Sequence, residues 1–334
     1  MKKKCVLLIG PMPPPSGGVS THLSRILMRS KAEEGIDLSV FDIRRLRLHT
    51  IDACSRNLFR IVYKYFSSDI IHIHISRKHK LKIAAVSKFI GKKVIYTHHN
   101  SRNLQEELTL KIMRAVDKVI LVRPVKDVFS REIQKKCVVI PAYLHAPAAA
   151  SLPDKLLHQF SGGAVLFAHC YQIKNNPLLI EGKDLYGFDL IFSAVEKLVN
   201  DQSEKQIILF LADPANAMKQ YYSSKMLELA AYPNLKIIYW SDVLDFSSAL
   251  KYCTILIRAT RSEGDAISVR EALHAGVPVI ASDCVERPPG VIVFSSGNED
   301  DLFKAISNQL ENPVSQFYPQ EDYALEMFKI YRSI

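Results

Sequence analysis

The sequence predicts an α/β protein built from two parallel-sheet domains, and three observations lead there. Its 334 residues exceed one average domain and suit two of about 150 residues each. Short runs rich in Val and Ile, apolar on both faces as buried parallel strands must be, alternate with longer amphipathic pieces of helical length. The alternation stops at YLHAPAAASLP, residues 143–153, which has two prolines and no periodicity, and then starts again. A hydrophobic fraction of 48% with 23% charged residues supports sizeable cores and excludes bulk disorder.

In chain order, the first strand is expected at 5–9. The preceding MKKK imitates a secretory leader, but the apolar run ends at Gly10-Pro11, too short for the core of one. Further strands are expected at 38–41, 70–75, 93–97, 119–121 and 138–140, with helices between them, for example over 19–30 and 80–90. After the linker come strands at 164–168, 207–211, 236–239, 254–257, 277–281 and 291–294. The domain bounds are therefore 1–150 and 151–320, with a last helix at 321–334. No run approaches 18 apolar residues, so no membrane span is expected. The six cysteines are scattered without metal spacing and read as buried thiols in a reducing cytoplasm. The net charge of +10 is uneven: residues 1–150 carry 28 Lys+Arg against 11 Asp+Glu, and residues 151–334 carry 16 against 23. The first half therefore faces something anionic.

The most informative segment runs from Arg261-Ser262-Glu263-Gly264-Asp265-Ala266-Ile267 through Glu271 to Ala275-Gly276-Val277-Pro278. A buried strand leads into a polar loop, a helix and a Gly276 stop. The helix start at Gly264, Asp265, Ala266 and Ile267 offers free backbone N–H groups and the positive dipole end to a phosphate or to sugar hydroxyls. Glu263 precedes the helix and Glu271 lies two turns into it. One carboxylate can thus reach a reacting sugar and the other a ribose further back. The alternative is a capping Asp265 and a solvated Glu271.

With its E-x7-E spacing and the following AGVPVIASD, this segment resembles family 4 of the retaining nucleotide-sugar glycosyltransferases. The resemblance implies the GT-B fold, two Rossmann-like domains facing across a cleft. It places the acceptor in the N-terminal domain and the nucleotide-sugar in the C-terminal one, with the last helix crossing back to the first. It implies Glu263 at the donor sugar and Glu271 at the nucleotide ribose. EGDAISVREAL followed by Glu286-Arg287-Pro288-Pro289-Gly290 looks like the subset that assembles bacterial surface polysaccharide.

Three further motifs carry the resemblance. Gly10-Pro11-Met12-Pro13-Pro14-Pro15-Ser16-Gly17-Gly18 lacks the dinucleotide fingerprint, but Gly17 and Gly18 allow close backbone approach to a diphosphate or acceptor. Thr97-His98-His99 closes a strand, and the family pattern selects His99 to bond a sugar hydroxyl. Asp69-Ile70-Ile71-His72-Ile73-His74 resembles a family strand, with His74 framing the acceptor pocket. The match weakens at the expected phosphate-binding Arg and Lys. His169 and Lys174 have the spacing without the arginine, and Lys183 is the alternative; Lys174 is preferred.

The expected activity is hexosyl transfer from a nucleotide-sugar to a glycan or lipid-linked acceptor. No DxD motif is placed for a metal, so neither metal nor cofactor is expected. The stretch 77–93, with Arg44, Arg45, Arg47, Arg56, Arg60 and Lys64, reads either as a solvated basic face or as a dock for an anionic membrane on the inner face of the plasma membrane. Nucleic acid is not expected, because no recognition motif accompanies the charge. The rivals are an epimerase or inverting transferase on the same fold, and a non-catalytic sugar-nucleotide-binding module.

Overall fold

The computed structural model describes residues 3–334 apart from 15, 76–78, 100–103, 126–128, 148–150, 172–176, 203, 243–244 and 315–316. The chain divides into two compact units, residues 1–145 with 321–334, and residues 146–320.

The first unit contains β1 (Lys4–Ile9), α1 (Gly18–Arg29), β2 (Ile36–Asp42), β3 (Arg47–His49), β4 (Cys54–Ser55), α2 (Leu58–Ser67), β5 (Ile70–Ile73), α3 (His79–Phe89), β6 (Lys93–His98), α4 (Glu107–Ala115), β7 (Lys118–Leu121), α5 (Arg131–Lys136) and β8 (Cys137–Val139). Its sheet has the order β4-β3-β2-β1-β5-β6-β7-β8. β1 pairs in parallel with β2, Val6 opposite Leu38, and with β5, Leu8 opposite His72. Only the β3 and β4 edge is antiparallel. Val6 and Leu8 pack on one face of β1 with Leu23 and Ile26 of α1, while Leu7 and Ile9 pack on the other with Ile71, Ile73 and Tyr96. Burial on both faces explains why these strands read as continuous apolar runs.

The second unit contains α6 (Asp154–Leu157), β9 (Ala164–His169), β10 (Leu179–Ile180), β11 (Lys183–Asp184), α7 (Phe188–Asp201), β12 (Ile207–Ala212), α8 (Ala217–Tyr221), α9 (Ser223–Leu229), β13 (Leu235–Trp240), α10 (Phe246–Leu250), β14 (Ile255–Arg258), α11 (Ile267–His274), β15 (Val279–Ser282), β16 (Val291–Phe294) and α12 (Glu299–Glu311). Its six-stranded sheet, β13-β12-β9-β14-β15-β16, is parallel throughout. The final helix, α13 (Ala324–Ser333), belongs to the first unit. There Met327, Phe328 and Tyr331 join the core of β1 and α1.

In both sheets the first strand of the unit, β1 or β9, has neighbours reached by connections running in opposite directions. Such a switch point opens a crevice at the carboxyl ends of the strands, where ligands of open α/β sheets bind. In the first unit it lies between β1 and β5, and in the second between β9 and β14. Gly187 fixes one local choice. Its φ is +70°, and a Cβ there would lie 2.1 Å from the Ala259 carbonyl oxygen, so only glycine fits the start of α7 against the end of β14.

Candidate active site

In the second unit, β9 delivers His169 and β14 delivers Arg258 to the two sides of the switch point. Arg258 is the single charged residue of an otherwise apolar strand, and its side chain is 12% exposed. It packs over the Tyr186 ring, 5.3 Å from the centroid, and donates to the His169 carbonyl at 3.2 Å. Its Nη1 lies 3.3 Å from His169 Nε2. Its Nε donates to Glu263 Oε1 at 2.7 Å, and its Nη2 also reaches that oxygen.

The other Glu263 oxygen accepts from Arg287 Nη1 at 2.6 Å and from Thr260 Oγ1 at 3.2 Å. Arg287 is itself held by its Nε donating to the Ser282 carbonyl at 2.7 Å. The Glu263 and Arg287 side chains are 6% and 3% exposed. The loop carboxylate is therefore clamped between two guanidiniums. Burial pushes the Glu263 carboxyl up, but Arg258 and Arg287 outweigh it and hold it below its ordinary value. Burial likewise lowers Arg258, and Glu263 raises it beyond its ordinary value. Burial together with Arg258 keeps His169 neutral, well below the ordinary imidazole range. Among the described residues, two guanidiniums, one carboxylate and a neutral imidazole meet at this buried point and leave one surplus positive charge.

The helix after this loop starts later than its sequence suggests. Gly264 and Asp265 do not open α11: its first residue is Ile267 and its N-cap is Ala266, which provides no side-chain cap. Asp265 instead accepts from Arg270 Nε at 2.7 Å. That ion pair is 17% and 7% exposed. The first backbone bond runs from Val269 N–H to the Ala266 carbonyl, so the amides of Ile267 and Ser268 point out of the helix. Glu271 is buried on α11 rather than solvated. Gly276, with φ of +74°, ends the helix.

Lys174 lies outside the described residues. Lys183, the alternative, is exposed on the β10–β11 hairpin. Its neighbour Asp184 accepts from the backbone of Tyr186 and Phe188, both at 2.6 Å, and fastens the entry to α7. Arg258 and Arg287 are the functional candidates that sequence reasoning missed. Their signals were a lone cation ending an apolar strand and the ERPPG motif, noted above only as a family marker.

In the first unit, four imidazoles gather at the carboxyl ends of β5 and β6 and on α1. His74 Nδ1 and His99 Nε2 are 2.8 Å apart, and the His22 ring lies 5.6 Å and 5.5 Å from those of His74 and His99. His72 bridges Tyr331 Oη at 2.8 Å and Thr97 Oγ1 at 2.7 Å. His98 turns aside to Tyr96 Oη at 2.9 Å. Because His22 Nδ1 donates to the Ala142 carbonyl at 2.8 Å, its Nε2 is a bare acceptor. The Nε2 atoms of His22 and His74 are buried and meet no hydrogen-bond partner among the described residues. Burial drives His22 down to about 4 and His72, His74 and His99 well below the imidazole range. The cluster is thus a set of neutral groups able to bond hydroxyls.

Gly17 is the N-cap of α1, its N–H accepted by Ser20 Oγ at 2.9 Å. Gly18 is the first helical residue, and a Cβ there would meet nothing within 4 Å. Among the described residues, neither packing nor a left-handed dihedral requires glycine at 18. Arg44 and Arg45 do not join a free basic face: they donate to the carbonyls of Met12 at 3.0 Å and Pro13 at 3.4 Å and hold the proline-rich loop.

Among the described residues, no group of three or more His, Cys, Asp or Glu side chains is placed to hold a metal ion. A cavity of about 490 Å³, lined by Ala164, Thr254 and Pro278 among others, lies at the opposite, amino ends of β9 and β14 and is separate from this site.

Residues 183–320 match the family model described as Glycosyl transferases group 1, which spans Arg258, Glu263, Glu271 and Arg287. A glycosyltransferase from Rickettsia africae superposes with a TM-score of 0.65 at 16% identity, covering 99% of this chain and 98% of that one. Sucrose-phosphate synthase from Thermosynechococcus elongatus gives 0.66 at 14% identity, covering 99% of each. Anabaena HepE in complex with UDP gives 0.59 at 14%, covering 100% and 95%. UDP-GlcNAc 2-epimerase from Methanocaldococcus jannaschii gives 0.58 at 13%, covering 98% and 99%. No curated protein matches the sequence significantly. The fold is therefore GT-B, shared by transferases and epimerases, and the match of residues 183–320 to the glycosyl transferases group 1 model supports glycosyltransferase activity.

Proposed function

We propose that this chain transfers a hexose, with retention of anomeric configuration, from a nucleotide-diphosphate sugar to a glycan or lipid-linked acceptor in cell-surface polysaccharide assembly. The observation that carries this reading is the Arg258–Glu263–Arg287 cluster, with its surplus charge, at a switch point inside the segment matching the transferase domain. A departing nucleoside diphosphate needs a preorganised cation in a water-poor site. Arg258 is that cation, in place of the arginine missing at position 169. The helix end at Ala266 and Ile267, with Gly264 and Asp265 before it, bonds the donor's phosphate and sugar. Glu263, held by Arg287, faces the sugar beside its reacting carbon, and Glu271 takes the ribose. His99 bonds a hydroxyl of the sugar, and Gly17 and Gly18 admit the diphosphate and the acceptor.

In the reaction the bond from the anomeric carbon to the diphosphate oxygen breaks, and the acceptor hydroxyl oxygen bonds that carbon from the same face. The hydroxyl proton passes to the departing phosphate oxygen. Guanidinium and helix-end amides supply the charge stabilisation, so activity is expected to survive EDTA. Thermal-shift screening with UDP, GDP and ADP, then NMR of the product formed from the stabilising nucleotide's sugar, tests the assignment. Stabilisation by a diphosphonucleotide and an α product from an α donor are expected. An inverted product, or no stabilisation by any diphosphonucleotide, would refute it. The occurrence of epimerases on this fold favours a second reading: conversion of the donor without acceptor would identify one.

A further inference from the structure

Helix α2 turns its apolar side the wrong way for a helix that merely covers a sheet. Its outward residues are Leu58, Phe59, Val62, Tyr63 and Phe66, spaced i, i+1, i+4, i+5 and i+8, which is one continuous face. Phe59 is 87% exposed and Tyr63 73%. Only Ile61 is buried. The neighbouring α3 adds Val86 and Phe89, the latter 92% exposed. Tyr65 of α2 and Ser87 of α3 bond at 2.6 Å, and Lys92, just beyond α3, donates to the Phe66 carbonyl, so the two helices lie beside each other, each with exposed apolar residues. A patch of this kind on a soluble domain marks an interaction surface.

Charge identifies the occupant. From Arg56 to Arg102 the chain has 11 Lys+Arg and a single acidic residue, Asp69. Arg56, Arg60, Lys82, Lys88 and Lys93 are exposed on or beside α2 and α3, although Lys88 is paired with Asp117. Arg77 and Lys78 lie outside the described residues. Aromatic and aliphatic side chains on one helical face, rimmed by cations, match an interfacial helix on an anionic leaflet: the rings enter the acyl boundary while the cations meet headgroups. No helix among the described residues is long and apolar enough to cross a membrane.

We propose that α2 and α3 form a docking face for an anionic phospholipid surface, with Phe59, Tyr63, Phe66 and Phe89 as the inserted groups. This does not rest on the transferase reading: a membrane-docked chain of any activity would carry the face, and nucleotide binding by the second unit is measured separately.

The test is co-sedimentation of the full chain with phosphatidylcholine vesicles and with vesicles containing phosphatidylglycerol, at moderate salt. Binding to the anionic vesicles alone is expected. Phe59→Ser/Phe66→Ser/Phe89→Ser should weaken it by about tenfold or more, through lost insertion. Arg56→Gln/Arg60→Gln/Lys82→Gln should weaken it and flatten its salt dependence. All six positions are exposed, so unchanged Tm and unchanged nucleotide thermal shift are expected controls. Absence of binding, or wild-type binding by both triple variants, would overturn the proposal. So would a dimer in light scattering that the serine variant dissociates, because a second copy would then be the occupant.

Discussion

Replacing Glu263 by glutamine is the sharpest perturbation of the candidate site. The side chain keeps its shape and its single amide oxygen can still accept from Arg258, but the charge is gone, and the NH2 that replaces the other oxygen cannot accept from Arg287 or Thr260. Arg258 and Arg287, 12% and 3% exposed, then face each other with no anion between them. Removing one partner of a buried ion pair costs about 3–5 kcal/mol, mostly because the remaining charge stays desolvated. For a domain the size of the second unit each kcal/mol lowers Tm by about 2–4 °C, so a fall of roughly 6–20 °C is expected. The surplus charge rises from one to two, so a polyanion should compensate. Pyrophosphate or UDP should raise the Tm of Glu263→Gln by more than it raises that of the wild type. Differential scanning fluorimetry with and without pyrophosphate reads both effects. A variant within about two degrees of wild type, at most about 1 kcal/mol for a domain of this size, would show that the clamp does not exist in solution. Equal stabilisation of both proteins by pyrophosphate would show that the cluster is not the anion site.

Other substitutions separate the roles. Arg258→Met should lower kcat by roughly a hundred- to a thousandfold, with partial recovery in Arg258→Lys, if it carries the leaving diphosphate; a variant with wild-type kcat removes it from the mechanism. Glu271→Gln should raise the donor KM with kcat largely kept, the signature of a group bonding a non-reacting ribose; an equal loss in kcat would place it at the chemistry instead. Gly18→Ala should fold normally, since an added Cβ meets no described atom within 4 Å, and raise KM if the diphosphate or acceptor approaches this backbone; unchanged KM would leave the glycine without a role. In the first unit, His22 titrates at about 4 when folded against 6.5 ordinarily, so the unfolded chain takes the proton first. Stability therefore falls as pH drops through the window from 6.5 to 4, by about 3 kcal/mol from this residue alone at 1.36 kcal/mol per pKa unit. Urea midpoints at the two ends should show that slope, and His22→Asn should flatten it; parallel slopes in both proteins would contradict the burial.

The fold was readable because burial on both faces writes itself into composition. All twelve expected parallel strands are present, most displaced by no more than one or two residues, since a run such as IILFLA at β12 has no polar face to confuse its period. The missed elements, β3, β4, β10 and β11, are two or three residues long and antiparallel, too short for any period to develop. The same reasoning explains α2. A helix apolar around most of its circumference says only that much of it avoids water; which side meets the sheet depends on Ile61 and Tyr65 packing, and periodicity cannot separate core from membrane or partner.

The site was half readable, and the division follows from how side chains meet. Glu263 and Glu271 could be located because they share one loop and helix, where spacing in sequence is spacing in space. Their partners could not. Arg287 reaches Glu263 across 24 residues and a complete strand, and His169 meets Arg258 across 89 residues through sheet pairing. The sequence shows histidine at 169 where the resembled family has arginine, and spacing leaves Lys174 or Lys183 as the cation for the diphosphate. A parallel sheet offers a shorter route: adjacent strands bring side chains at their carboxyl ends together whatever their separation in sequence. A lone cation closing an apolar strand beside the first strand of such a unit is therefore a better candidate for a lost phosphate ligand than any lysine chosen by spacing. The pyrophosphate experiment on Glu263→Gln decides whether that holds here.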